Sequence, residues 1–339
     1  MLNNPESLSF VNVFIVPCRI TLNQSKNKDM HTILGAGGPI ANALTKELIH
    51  ANETIRLVSR KPVATNTPKV SWVKADLLNE AELFAAAEGS KVIYLCAGLV
   101  YDIKIWQQQW PVIIKNVINL IKHTGARLIF FDNVYMYGLV NGPMTEDTPY
   151  RPCSLKGEVR AKIAEQLMNE AKMGQINVTI ARAADFYGAD SMNSFFDMMV
   201  LDKFAKKEKA QWIGNPDTLH SFTYIEDAAK ALFLLGQTPD SGNQIWHLPT
   251  AAPMKGKAFI EMAAKIYETK PQYLAINKLM LRLVGLFKKV VAGTVEMYYQ
   301  YDHDYHFDST KFEKAFNFKP TPYDDGILKL SKTMYKKQN

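Results

Sequence analysis

The run Gly35-Ala36-Gly37-Gly38-Pro39-Ile40-Ala41 constrains this chain more than any other seven residues in it. The apolar pair Ile33-Leu34 leads into it, and Ile40, Ala43, Leu44 and Leu48 follow at the spacing of a helix with one apolar face. A strand therefore enters a glycine turn and leaves directly as a helix. Gly35 permits the tight turn, while Gly37 and Gly38 leave the backbone bare where another molecule must approach. Pro39 suits a first helical position, where its missing N–H costs nothing, and Ala41 is small enough for helix and strand to lie close. The helix start offers free N–H groups and a positive dipole end. Together these features describe a cradle for a pyrophosphate.

The rest of the chain fits the fold this turn requires. Apolar, β-rich runs at 55–59, 70–73, 91–96, 128–131 and 178–181 alternate with helical stretches at 106–123 and 157–173. That alternation predicts an α/β fold, a doubly wound parallel sheet (Rossmann-like) with a smaller C-terminal substrate lobe. Residues 30–185 plus 220–250 are expected to form the dinucleotide domain, and 186–219 plus 251–335 the second lobe. Residues 1–29 read as an appended arm, with Met30 the expected natural start, because chains of this kind usually open on the first strand.

Composition narrows the partners. The net charge of +7 favours anionic small molecules, but the lysines are scattered and no basic block interleaved with aromatics speaks for nucleic acid. The three cysteines, Cys18, Cys96 and Cys153, are far apart and form no C-x-x-C pair, which fits a reducing, cytoplasmic setting rather than a disulfide framework. The apolar run from Leu8 to Ile20 is too short to span a bilayer. Asp302, His303, Asp304 and His306 lack a zinc spacing and are read as packing, so no metal is expected. The stretch from Leu279 to Lys289 is apolar with basic edges. It is expected to dock as a helix on the second lobe, and contact with a membrane surface is the alternative.

Cofactor contacts follow from strand ends. Ser59-Arg60-Lys61 closes the second strand, where an Asp or Glu would accept from a ribose 2′-OH; an arginine there pairs instead with a 2′-phosphate, favouring NADP(H), with NAD(H) possible. Asp76-Leu77 follows the third strand and is placed to meet the adenine. Cys96-Ala97-Gly98 ends the fourth, where small residues let the cofactor lie close. The expected set is thus Gly35, Gly37, Gly38, Pro39, Ile40, Ser59, Arg60, Asp76, Leu77, Cys96, Ala97 and Gly98, with Lys156.

These residues, with Asn133-Val134-Tyr135-Met136-Tyr137-Gly138, Glu146-Asp147-Thr148-Pro149, Arg182-Ala183-Ala184-Asp185-Phe186-Tyr187-Gly188 and Phe222-Thr223-Tyr224-Ile225-Glu226-Asp227, make the chain resemble the extended short-chain dehydrogenases, the NAD(P)-dependent epimerase/dehydratase family, over residues 31–330. The resemblance implies a Ser or Thr after the fifth strand and a Tyr-x-x-x-Lys on the next helix, acting on a hydroxyl or carbonyl of a small molecule such as a nucleotide sugar. This chain departs from that pattern. Asn133 stands at the Ser/Thr position, and the tyrosine and lysine positions read Lys156 and Arg160; a shifted register gives Glu158 and Lys162, again with no tyrosine. Three readings stay open: an altered acid/base site built on Lys156 or on Tyr135 or Tyr137, with Asn133 orienting the substrate; a non-catalytic NADP(H)-binding sensor or scaffold; or Lys156 and Arg160 holding cofactor ribose or phosphate. The resemblance further places Tyr137, Arg182 and Asp185 against substrate, and implies a homodimer. A membrane-associated steroid or lipid reductase is favoured only if the 279–289 stretch is exposed.

Overall fold

The computed structural model describes residues 29–189 and 194–336. The arm at 1–29 lies outside them except for Asp29.

Strand β1 (Met30–Leu34) feeds the glycine turn and helix α1 (Pro39–His50). There follow β2 (Thr54–Ser59), β3 (Val70–Lys74), α2 (Glu80–Ala87), β4 (Val92–Leu95), α3 (Ile103–Thr124), β5 (Arg127–Asp132), α4 (Leu155–Lys172) and β6 (Asn177–Arg182). With the later strand Gln244–His247 they form one seven-stranded sheet, in the order 244–247, β6, β5, β4, β1, β2, β3, with every pairing parallel. The direction of winding reverses between β1 and β4, and ligands of such sheets bind in the crevice outside that switch point.

Alternation along the central strands divides the core. Leu34, Val58, Ile93, Leu95, Leu128 and Phe130 face α2, α3 and α4, where Trp106, Trp110 and Ile114 meet them. Ile33, Leu57, Tyr94 and Ile129 face α1 and the helix Ile225–Gln237. All four residues of β4 are buried, as expected of a strand covered on both faces. Local signals set the helix limits. Asp102 caps α3 by accepting from the Lys104 N–H at 2.8 Å, and Gly125 ends it in the left-handed region at φ +65°. Outside that sheet the chain is built differently, from two-stranded pieces around an aromatic cluster of Tyr187, Phe196, Phe204, Trp212, Phe222, Phe259 and Tyr323.

The switch point closes on one contact. Gly35 has φ +88°, and a Cβ there would stand 2.4 Å from Ala97 Cα at the end of β4. Gly38 is the opposite case: its φ of −83° is ordinary and a Cβ would meet nothing within 4 Å. Gly35→Ala is therefore expected to lose about 2–4 kcal/mol of stability, and Gly38→Ala to stay within about 0.5 kcal/mol of the parent. Denaturant midpoints of the two variants check this, and equal midpoints would refute it.

Candidate functional site

The phosphate turn is pinned to β2, since Gly35 N–H and Ala36 N–H both donate to Val58 O, at 3.0 and 3.1 Å. Nothing inside the protein requires Gly38 to lack a side chain, nor Gly98, whose Cβ would also meet open space. The bare backbone at these two places is room for a ligand, and with the N–H groups of the first turn of α1 it fits a dinucleotide pyrophosphate. Around it, Ser59 Oγ donates to Lys61 O at 2.7 Å and accepts from Trp72 Nε1 at 3.0 Å, which shapes the bend carrying the exposed Arg60. Asp76 accepts from Leu78 N–H at 3.0 Å, and Leu77 packs on the core. Ile40 is buried beneath Pro39. Burial pushes the Cys96 thiol up to about 12, so it stays protonated and unreactive.

The group around Lys156 is assembled by the start of α4. Ser154 caps this helix by accepting from Gly157 N–H at 3.0 Å, and a Cβ on Gly157 would stand 2.5 Å from Tyr135 O. The helix start thus presses on the turn after β5, where Asn133 Oδ1 accepts from Tyr135 N–H at 3.0 Å. Lys156 is fully buried between them. Its Nζ lies 4.3 Å above the Tyr101 ring, donates to Gly293 O at 2.9 Å and pairs with the Glu296 carboxylate. The other oxygen of Glu296 accepts from Leu155 N–H at 2.9 Å. The Tyr101 hydroxyl donates to that of Tyr135 at 3.3 Å, and burial raises both phenols above their ordinary range. Nearby, Asp185 Oδ2 accepts from the Tyr301 hydroxyl at 2.7 Å and lies 3.2 Å from His220 Nε2.

Lys156, Tyr135, Asn133 and Asp185 therefore gather around Tyr101 and Tyr301, and three other expected residues do not. Arg160 turns instead to the end of β5, 3.2 Å from Asp132 and over the rings of Trp106 and Trp110 at 4.9 and 4.2 Å. Arg182, expected against substrate, is fully buried: it pairs with Asp132 and donates to the hydroxyls of Tyr137 and Tyr150. Tyr137, likewise expected against substrate, is 1% exposed and bonded to Arg182 and His247 at 2.7 Å each. The reason is register. Asp132, Arg182 and His247 are lateral partners on three neighbouring strands, so the arginine meets charge and hydrogen-bond partners inside the sheet rather than at its rim.

Sequence reasoning missed Glu296, Gly293 and Tyr101. Glu296 alone left a trace: it is the only acid between Glu268 and Asp302, in a stretch otherwise apolar and basic. The Asp302–His306 group packs locally, with Asp302 on His303 and Asp304 accepting from Leu219 N–H.

A model of the NAD dependent epimerase/dehydratase family matches residues 31–248. The chain belongs to that family. The solved structure of MoeE5 in complex with UDP-glucuronic acid and NAD superposes with a TM-score of 0.71 at 19% identity, covering 88% of this chain and 96% of that one. The Thermus thermophilus UDP-glucose 4-epimerase complex with NAD gives 0.71 at 14%, over 88% and 96%. At such identities these likenesses concern the fold. In sequence, the chain is 22% identical over 245 residues to a mouse sterol-4-alpha-carboxylate 3-dehydrogenase, decarboxylating, covering 67% of this chain and 62% of the mouse protein. It is 23% identical over 189 residues to the Arabidopsis thaliana 3beta-hydroxysteroid-dehydrogenase/decarboxylase isoform 2, covering 52% of this chain and 33% of that protein. The chain thus spans under two thirds of the length of both.

The buried network behind the cleft has a pH signature. His247 Nδ1 lies 2.8 Å from Asp308 O, which only accepts, so Nδ1 carries the proton and Nε2 accepts from the Tyr137 hydroxyl. Burial, aided by Arg182, lowers His247 to about 3, and burial lowers His31 to about 4. Both folded values lie below the unfolded value of 6.5, so the unfolded chain binds more protons and stability falls as pH drops from 6.5 toward 4. Each histidine contributes a slope of up to about 1.4 kcal/mol per pH unit. His247→Asn is expected to flatten that slope while costing about 1–2 kcal/mol at neutral pH. Denaturant midpoints between neutral and mildly acid pH test this, and parallel profiles for parent and variant would refute it.

Proposed function

We propose that this chain is a reductase or dehydrogenase that holds NADP(H), or less tightly NAD(H), and acts on a carbonyl or hydroxyl of a small apolar molecule, with Lys156 standing where the family has its tyrosine. The observation that carries this reading is a fully buried ammonium at the start of α4, paired with Glu296 and lying over the Tyr101 ring. The glycine turn and the open ground at Gly38 and Gly98 would hold the pyrophosphate, and Arg60 the 2′-phosphate. Bound there, a nicotinamide supplies or accepts the hydride.

The chain's own groups handle the proton. In the reducing direction the Lys156 ammonium gives a proton to the carbonyl oxygen as the carbon gains hydride, leaving an alcohol. Glu296, on the same nitrogen and 24% exposed, links that site to water and restores the proton. Asn133, its Oδ1 engaged by Tyr135 N–H, keeps its amide N–H groups to orient the substrate oxygen. Arg160, Arg182 and Tyr137 act as positioning residues through Asp132. The rings of Tyr101, Tyr135 and Tyr301, gathered beside Lys156 and Asp185, would suit an apolar ring system, in line with the sterol and steroid dehydrogenases among the relatives. An exposed free thiol at Cys153 supports a cytoplasmic location.

Calorimetric titration with NADPH, NADH and their oxidised forms is the test. NADPH is expected to bind, Gly38→Asp to abolish binding in a folded protein, and Arg60→Ala to remove the preference over NADH. In NADPH-consumption assays over a panel of cyclic ketones, Lys156→Met is expected to lower turnover about 10²–10⁴-fold with NADPH affinity unchanged. Failure to bind any dinucleotide sinks the reading; binding without consumption across the panel leaves a sensor instead.

A further inference from the structure

The residues that close over Lys156 belong to a helical hairpin whose other end is unlike the rest of the surface. Helix Lys278–Gly285 and helix Lys289–Thr294 fold back on each other, crossing so closely that a Cβ on Gly285 would stand 3.0 Å from Ala292 Cα. One side of the hairpin docks: Leu281 is buried with Ile213 and Tyr298, and Val291 and Val295 pack around them. The base of the hairpin carries Gly293 and Glu296 onto Lys156.

The other side faces outward and is apolar. Leu279, Leu283 and Val284 are 64%, 54% and 46% exposed, and the tip residues Leu286 and Phe287 are 78% and 89% exposed. Among the described residues, fourteen large hydrophobic side chains are exposed, and five of them fall within these nine consecutive positions. Leu279 and Leu283, at i and i+4, share one face of the first helix, and Leu286 and Phe287 extend it past the helix end at the tip. Lys278 and Arg282, one turn apart, border that face on one side, and Lys288 closes the tip; all three are exposed. An apolar face edged by cations matches the layered chemistry of an anionic membrane surface, with hydrocarbon below and phosphate above. A face shared between two copies of the chain would bring these cations near their own equivalents. Among the described residues no helix is long and apolar enough to cross a membrane, so what the hairpin offers is shallow insertion.

We infer that the hairpin tip, Leu286-Phe287-Lys288 with Leu279 and Leu283, docks the protein on an anionic lipid surface and sets the cleft at Lys156 beside it. The inference is independent of the proposed chemistry, since docking is read without turnover. Sedimentation of the full chain with phosphatidylcholine vesicles, with and without a minority of phosphatidylglycerol, tests it. The parent is expected to bind the anionic vesicles and to release as salt is raised. Leu286→Glu/Phe287→Glu, which alters only exposed side chains, is expected to bind at least about ten-fold less, with an unchanged Tm and an unchanged NADPH titration. Arg282→Gln/Lys288→Gln is expected to lose the preference for anionic vesicles. No binding by the parent, or equal binding by the glutamate variant, overturns the inference. So does a parent that is dimeric in solution and a glutamate variant that is monomeric, with neither binding lipid, for the face is then an interface between copies.

Discussion

One buried carboxylate organises this molecule. Asp132 ends β5, and it meets Arg160 from α4 on one side and Arg182 from β6 on the other, with all three side chains nearly or fully out of water. Stripping one partner from such a cluster costs about 3–5 kcal/mol, because a charge is then left buried and uncompensated. The cluster also fixes directions. Arg182 passes the constraint to the Tyr137 hydroxyl and thence to His247, Asp308 O and the segment leading into helix Thr310–Phe316. Arg160 passes it to the indoles of α3 and to the start of α4, four residues before it, from which Lys156 projects. Two guanidinium groups against one carboxylate leave an excess of positive charge, which the faces of aromatic rings and the phenol oxygens of Tyr137 and Tyr150 absorb.

The sequence is legible where structure is local. The glycine turn declares itself because seven consecutive residues must satisfy a turn, a helix start and a close approach together. The strands 55–59 and 128–131 and the long helix near 106–123 stand out because hydrophobic period and length are short-range properties, and they correspond to β2, β5 and α3. What does not show is anything set by lateral order. That Arg182 would face Asp132 depends on β6 lying beside β5 in a given register, which no window of the sequence contains. Judged by its position after an apolar run, it looks like a rim residue. Glu296 is harder still: 140 residues separate it from Lys156, and no window of the sequence holds both.

Lys156 and Arg160 show how a site can change character while its frame is kept. The cap at Ser154 and the tight seat of Gly157 on Tyr135 O hold the first turn of α4 in place whatever side chain follows the cap by two residues. In the proposed reading an ammonium stands where the family pattern has a phenol, a charged acid in place of a neutral one, and a buried charge needs a counter-charge. Glu296 meets that need from another element altogether. The second cation at Arg160 finds its counter-charge in Asp132. The two buried cations are thus separately neutralised, Lys156 by Glu296 and Arg160 by Asp132.

The grip of Glu296 has a consequence for any molecule that would reach Lys156. Its two oxygens hold the ammonium of Lys156 and the backbone N–H of Leu155 at once, so the hairpin base acts as an anion seated at a helix start. Moving it aside bares two donors within a few ångströms of each other. A guest that arrives with only hydrocarbon leaves both unsatisfied, whereas one bearing an oxygen acceptor in the right place restores at least one bond. The protein's own side chain therefore competes for the seat, and it sets a threshold that a visiting molecule clears through polar oxygen rather than through bulk.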